Sequence, residues 1–139
     1  MKQQVEVKVC GVQVVDGEEQ RQEVNEKGEF YIKDGVAYLL YKEMEENKKT
    51  EVRTIVKDKG KKIEVVKNGF ISVKMCFADG LSYNSQYNTP MGMVNLRTVT
   101  KEIKREDSKE GFTREMYYSV YMDDQYIGEN MLGIYVKFV

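Results

Sequence analysis

The chain contains no histidine, one proline, two alanines and five leucines, and its acidic and basic residues almost cancel. Each scarcity closes off a class of function or fold. Without histidine there is no histidine-based catalytic triad, no histidine-held zinc or haem, and no imidazole to move protons near neutral pH. No catalytic residue, metal or other cofactor is therefore expected, and the protein reads as a non-enzyme. With 22 basic and 23 acidic side chains no broad field of one sign exists to draw in nucleic acid or anionic lipid. Neither nucleic acid nor membrane is an expected partner. No run approaches the roughly 18 apolar residues of a membrane-spanning helix. The start, MKQQVEVKV, alternates where a secretory signal would be continuously apolar, so a cytoplasmic location is expected. The two cysteines, Cys10 and Cys76, lack any CxxC spacing and read as reduced, structural thiols.

What the chain has in quantity is valine (18) and tyrosine (10), residues that suit pleated sheets. The clearest local signal is GEFYIKDGVAYLLYKEME, residues 28–45. Asp34-Gly35 between two alternating runs specifies a β-hairpin with a type I′ turn and places Lys33 opposite Val36. One face then carries Phe30, Ile32, Ala37 and Leu39, which belong to a core. The other carries Tyr31, Val36, Tyr38 and Leu40.

Other segments repeat the period of two. Val5, Val7 and Val9 share a face that shifts to Val12 and Val14 after Gly11, where a bulge or bend is expected. Asp16-Gly17 ends that strand, and Gly28 interrupts the next. A two-residue loop at Lys59-Gly60 would oppose Val56 to Ile63 and Thr54 to Val65. A three-residue loop, Lys67-Asn68-Gly69, would oppose Val65 to Ile71 and Ile63 to Val73. Leu81, Tyr83, Ser85 and Tyr87 follow, then a break at Pro90, then a strand from about Met93 to Lys104 with Val94, Leu96, Thr98 and Thr100 on one face. Finally, a three-residue loop at Asp123-Asp124-Gln125 would align Met116, Tyr118 and Val120 with Leu132, Asn130 and Gly128. Nine or ten strand segments joined by short turns, in a chain of single-domain length (1–139), point to an all-β fold: an antiparallel up-and-down barrel of about 8–10 strands. A Greek-key sandwich would need long cross-connections, and none is visible.

The order GxFYIKDGVAYLLYKExEE, a glycine-led hairpin, YxTPxG before a threonine-rich strand, and IGxNxLxIYV resembles the YwiB-like family of uncharacterised bacterial proteins. The resemblance covers nearly the whole chain. It implies a calycin barrel, the fold of lipocalins and fatty-acid-binding proteins, and no assigned activity. The chain has no tryptophan and so departs from the GxW motif of secreted lipocalins.

Three charged or soft groupings have ordinary explanations. Glu43 and Glu45 share a strand face but sit on a lysine-rich rim, Asp123 and Asp124 are turn residues, and Lys57, Lys59, Lys61 and Lys62 form a hairpin tip without aromatic stacking partners. Met75, Met91, Met93, Met116, Met122 and Met131 could line a cavity or fill core gaps. The candidate ligand-binding residues are polar groups on otherwise apolar faces: Tyr83, Ser85, Tyr87, Thr89, Thr98, Tyr118 and Asn130. In a barrel with a cavity they would orient one small apolar or amphipathic ligand; in a filled barrel they would satisfy one another. The alternative function is a packed barrel acting through its outer aromatic surface as an interaction module. A homodimer is expected if that surface pairs: it carries Tyr31, Val36, Tyr38 and Leu40, and, on the last hairpin, Tyr117 opposite Met131, Tyr121 opposite Ile127, and Tyr135.

Overall fold

The computed structural model describes residues 2–44, 51–69 and 72–139. The described residues form β1 (Gln3–Val15), β2 (Glu18–Lys33), β3 (Val36–Met44), β4 (Glu51–Asp58), β5 (Ile63–Asn68), β6 (Val73–Phe77), β7 (Ser82–Thr89), β8 (Gly92–Asp107), β9 (Gly111–Met122) and β10 (Gln125–Phe138). All pairs are antiparallel, and the sheet order is β6-β5-β4-β3-β2-β1-β10-β9-β8-β7. Every strand except β6 and β7, which flank the seam, pairs with each of its neighbours in sequence, and β1 pairs with β10. The chain ends therefore meet mid-sheet, and the seam of this nearly closed barrel falls between β6 and β7. At the seam the β6–β7 connection is stitched onto β8: Gly80 donates to the carbonyl of Thr100 (3.0 Å), Thr100 to that of Leu81 (2.9 Å), and Ile103 N–H to Asp79 Oδ1 (3.2 Å).

The Asp34-Gly35 turn forms as its chemistry requires, with φ of 52° and 78° and Lys33 opposite Val36. Val5, Val7, Leu39, Val56, Ile63, Val65, Phe77, Met116, Leu132 and Ile134 fill the interior. Ile32 shares the parity of Leu39 yet is 65% exposed, because the wall ends there.

Several registers differ from the sequence reading. Gly11 is no bulge, since β1 runs in unbroken register with both β2 and β10. Gly28 does not interrupt β2. The β2–β3 ladder begins there, opposite Tyr41, and a Cβ on Gly28 would lie 2.7 Å from the carbonyl oxygen of Leu40. The β4–β5 connection takes four residues, 59–62, closed by Lys59 N–H on the carbonyl of Lys62, so Val56 opposes Val65 and Asp58 opposes Ile63. The next ladder ends at Lys67 opposite Val73, which pairs Val65 with Met75 and Ile63 with Phe77. Both slips are even-numbered and leave the described residues on their expected faces, while Ile71 lies outside the described residues. Asp123-Asp124 makes a two-residue turn, both residues at positive φ, and a bulge at Ile127 restores the expected alignment of Met116 with Leu132. Tyr121 accordingly opposes Tyr126, not Ile127. An unforeseen bulge at Lys101 switches the inward set of β8 from Thr98 and Thr100 to Ile103, which opposes Met116, and Arg105, which opposes Arg114. Glu45 and residues 46–49 lie outside the described residues.

Candidate functional site

One end of the barrel is an apolar pocket of about 300 Å³. The Asp34-Gly35 hairpin brings Phe30, Ile32, Ala37 and Leu39 to its wall, and the ladder with β4 sets Val56 opposite Leu39 and Asp58 opposite Ala37. Ile63, Phe112, Ile134 and Phe138 complete the apolar lining, with Asp107, Ser108 and Arg114 on the polar side. Phe30, Phe112 and Phe138 pack as a triangle with ring centroids 5.2, 5.8 and 6.1 Å apart, in the tilted arrangements that aromatic quadrupoles favour.

The polar side is an ion-pair cluster whose groups sit at inward positions. Asp58 accepts from Arg105 Nη1 (3.0 and 3.1 Å), Arg114 Nε (2.8 Å) and the Gly60 N–H (2.9 Å). Arg114 Nη1 also reaches Asp107 Oδ1 at 2.8 Å and the carbonyl of Thr113 at 2.7 Å, and its guanidinium lies 5.1 Å from the Phe112 ring centre. Asp58 and Arg114 side chains are each 13% exposed, so these bonds tie β4 to β8 and β9 with little screening. Burial works to raise the Asp58 carboxyl pKa, but Arg114, the Gly60 N–H and Arg105 outweigh it and hold the group below the usual carboxylate range. A folded-state pKa below the unfolded one means that the contribution is complete above about pH 4 and disappears as pH falls through the lower folded value. Asp58→Asn is therefore expected to flatten the acid limb of stability against pH; urea midpoints measured across that range would show it, and two parallel limbs would refute it.

The residues singled out from sequence lie elsewhere in the interior. Thr98 is buried and opposes Tyr83; Ser85 opposes Leu96, and both Tyr83 and Ser85 are half-buried. Tyr118 is buried between Thr100 and Asn130 on the flanking strands, and Gln13 extends that row beyond Asn130. Burial raises the Tyr118 phenol pKa and the adjacent Asn130 side chain lowers it, the net shift being upward. Thr98 Oγ1, Thr100 Oγ1, Thr54 Oγ1 and Asn130 Oδ1 are buried without a well-formed hydrogen bond. Tyr87 and Thr89 oppose Val94 and Gly92, and their side chains lie outside the described residues.

The fold thus brings Tyr83, Ser85, Thr98, Tyr118 and Asn130 onto inward strand positions, away from the pocket. Between them stands a packed layer. Phe77, fully buried, opposes the pocket residue Ile63 and packs against the Tyr118 ring at 4.8 Å. Met116 separates Arg114 from Tyr118 along β9, and Leu132 separates Ile134 from Asn130 along β10; both are buried. Met116 is core, Met75 and Met122 pack against that core, Met91 and Met93 are exposed, and among the described residues no methionine lines the pocket.

The outer tyrosines lie beneath cations. Tyr31 and Tyr38 stack on each other at 4.8 Å, with Lys2 and Lys57 at 5.8 and 6.0 Å, while Lys104 covers Tyr117 at 5.2 Å and Arg97 covers Tyr121 at 4.3 Å. Of the charged pairs read from sequence, Glu43 lies 3.8 Å from Lys67, and Lys59 pairs with Glu64. Among the described residues no group of three or more Cys, Asp or Glu side chains could hold a metal, and no helix is long and apolar enough to cross a membrane.

The domain of unknown function DUF1934 matches residues 7–134. The chain belongs to the DUF1934 family. The chain is similar to the uncharacterized β-barrel protein YwiB of Bacillus subtilis (strain 168), 28% identical over 110 residues, which cover 79% of this chain and 76% of that protein. The crystal structure of the ywiB protein from Bacillus subtilis superposes with a TM-score of 0.81 at 23% identity, covering 99% of this chain and 93% of that one. At that identity the likeness is one of fold, and it agrees with the ten-stranded barrel described above.

Proposed function

We propose that this DUF1934 barrel binds a small apolar or amphipathic molecule in the pocket beneath the Asp34-Gly35 hairpin. The observation that carries the reading is a concave apolar surface, about 300 Å³, closed at one side by convergent polar groups on rigid strands. The aromatic triangle and the Leu39, Val56, Ile63 and Ile134 side chains supply the apolar contact, and the Asp58 cluster supplies orientation. The volume is at the small end of ligand sites, roughly 300–1,000 Å³, so a compact ligand or a short chain is the fit.

Titration with the uncharged fluorophore N-phenyl-1-naphthylamine tests this. Saturable enhancement at about one probe per chain is expected, and Ala37→Trp, which places an indole in the pocket, is expected to weaken it about tenfold or more. Absence of saturable binding, or binding indifferent to Ala37→Trp, would remove the reading.

The stacked Tyr31–Tyr38 pair, with half-buried Val36 and Leu40 beside it, supports a second proposal, self-association through the outer face. Sedimentation at micromolar concentration decides it. A dimer that Tyr38→Lys dissociates supports the proposal, and a monomer ends it.

A further inference from the structure

We infer that the pocket's occupant is an uncharged amphiphile, bearing a hydroxyl or amide at its polar end, in preference to a carboxylate or an ammonium. This rests on the binding reading above and concerns its chemistry. The polar side of the pocket is balanced: Asp58 and Asp107 face Arg105 and Arg114. It is also engaged, because both Asp58 oxygens are taken by guanidinium donors and Arg114 divides its own between Asp58, Asp107 and a backbone carbonyl.

An incoming carboxylate would leave water to meet guanidinium groups already paired with Asp58, and would sit beside Asp107. Its desolvation would be only partly compensated, by the guanidinium N–H groups left over from Asp58, Asp107 and Thr113, unless it displaced Asp58, whose own buried charge would then lose its partners. An ammonium meets the mirror problem, since the Asp58 lone pairs facing the cluster are occupied and Arg114 repels it; Asp107, 72% exposed, offers only a solvent-screened partner. A hydroxyl or amide needs one hydrogen bond, and at the rim the carboxylate oxygens of Asp107, or the remaining lone pair of the Ser108 hydroxyl, which already donates to the Gly111 carbonyl and accepts from the Glu110 N–H, can accept it without breaking an ion pair. The apolar remainder gains the same contact with Phe30, Phe112 and Phe138 whichever head group it bears.

The test is competition against bound N-phenyl-1-naphthylamine by decanol, decanoate and decylammonium at neutral pH, below micelle formation. Decanol is expected to displace the probe at about tenfold lower concentration than either ion. Displacement by decanoate or decylammonium at the same concentration as decanol, or a lower one, overturns the inference while leaving the binding reading intact. Failure of the probe to bind removes both. In Asp58→Asn, where Arg105 and Arg114 lose their shared carboxylate, decanoate is expected to gain by more than that roughly tenfold gap and so to overtake decanol. An unchanged order in the folded variant overturns the role given to the cluster, and the wild-type series decides the preference if that variant does not fold.

Discussion

Phe77→Ala is expected to lower stability by roughly 3–5 kcal/mol, the range for removing a buried aromatic side chain where neighbours cannot close the space. Phe77 has no exposed surface, packs against Tyr118 and opposes Ile63, on the short edge strand that borders the seam. For a domain of this size the thermal midpoint should fall by on the order of 10 °C or more. A stability margin of about 5–15 kcal/mol makes that a large share of the total. The consequence extends to the pocket, because Phe77 belongs to the layer dividing it from the row of Thr98, Thr100, Tyr118 and Asn130. Phe77→Leu, which keeps the layer filled, should recover most of the midpoint. Urea unfolding of both variants checks this, and a loss below about 1 kcal/mol in Phe77→Ala would mean that the layer is not packed as described.

Gly111→Ala is the other substitution with a large expected effect, through the backbone. A Cβ there would lie 1.8 Å from the carbonyl oxygen of Val136 and 2.9 Å from its carbon, in the ladder that sets Gly111 opposite Lys137. Neither atom belongs to a side chain that could swing away. The start of β9 must therefore part from β10, carrying Phe112 out of the aromatic triangle. A loss of about 3 kcal/mol is expected, in the upper part of the range for point substitutions, together with weakened probe binding. Gly133→Ala provides the contrast. Its Cβ would meet the Tyr135 hydroxyl at 2.6 Å, the far end of a side chain, so its cost should be nearer 1 kcal/mol and leave the pocket unaffected. Equal losses in the two variants, measured by thermal melting, would contradict this assignment of the contacts.

The barrel was legible because alternation and turn chemistry agree along most of the chain. Asp34-Gly35 fixed one hairpin by positive φ at both turn residues, and even-numbered slips after β4 and β5 left the inward sets unchanged. The pocket was less legible. Its aromatic triangle joins Phe30, Phe112 and Phe138 from three strands, and the pairing of β1 with β10 that brings the chain ends together has no local signal. Arg114 could have been found, since the parity of Met116, Tyr118 and Val120 carried backward places it inward. Asp58 likewise continues Val52, Thr54 and Val56. Arg105 could not, because the bulge at Lys101 reverses the parity of β8 between Thr100 and Ile103. The polar residues named from sequence were correctly read as facing inward where their side chains are described. What sequence did not reveal is the packed layer between them and the mouth, which depends on β6 and β9 meeting across the barrel.

The most direct measurement is methyl NMR of the full chain, labelled at Ile, Leu and Val, titrated with decanol. Saturable shifts are expected at Leu39, Val56, Ile63 and Ile134, which line the pocket, with Val14 and Val94 toward the other end of the barrel unmoved. Shifts confined to that other end, or none that saturate, would contradict a ligand site at the mouth.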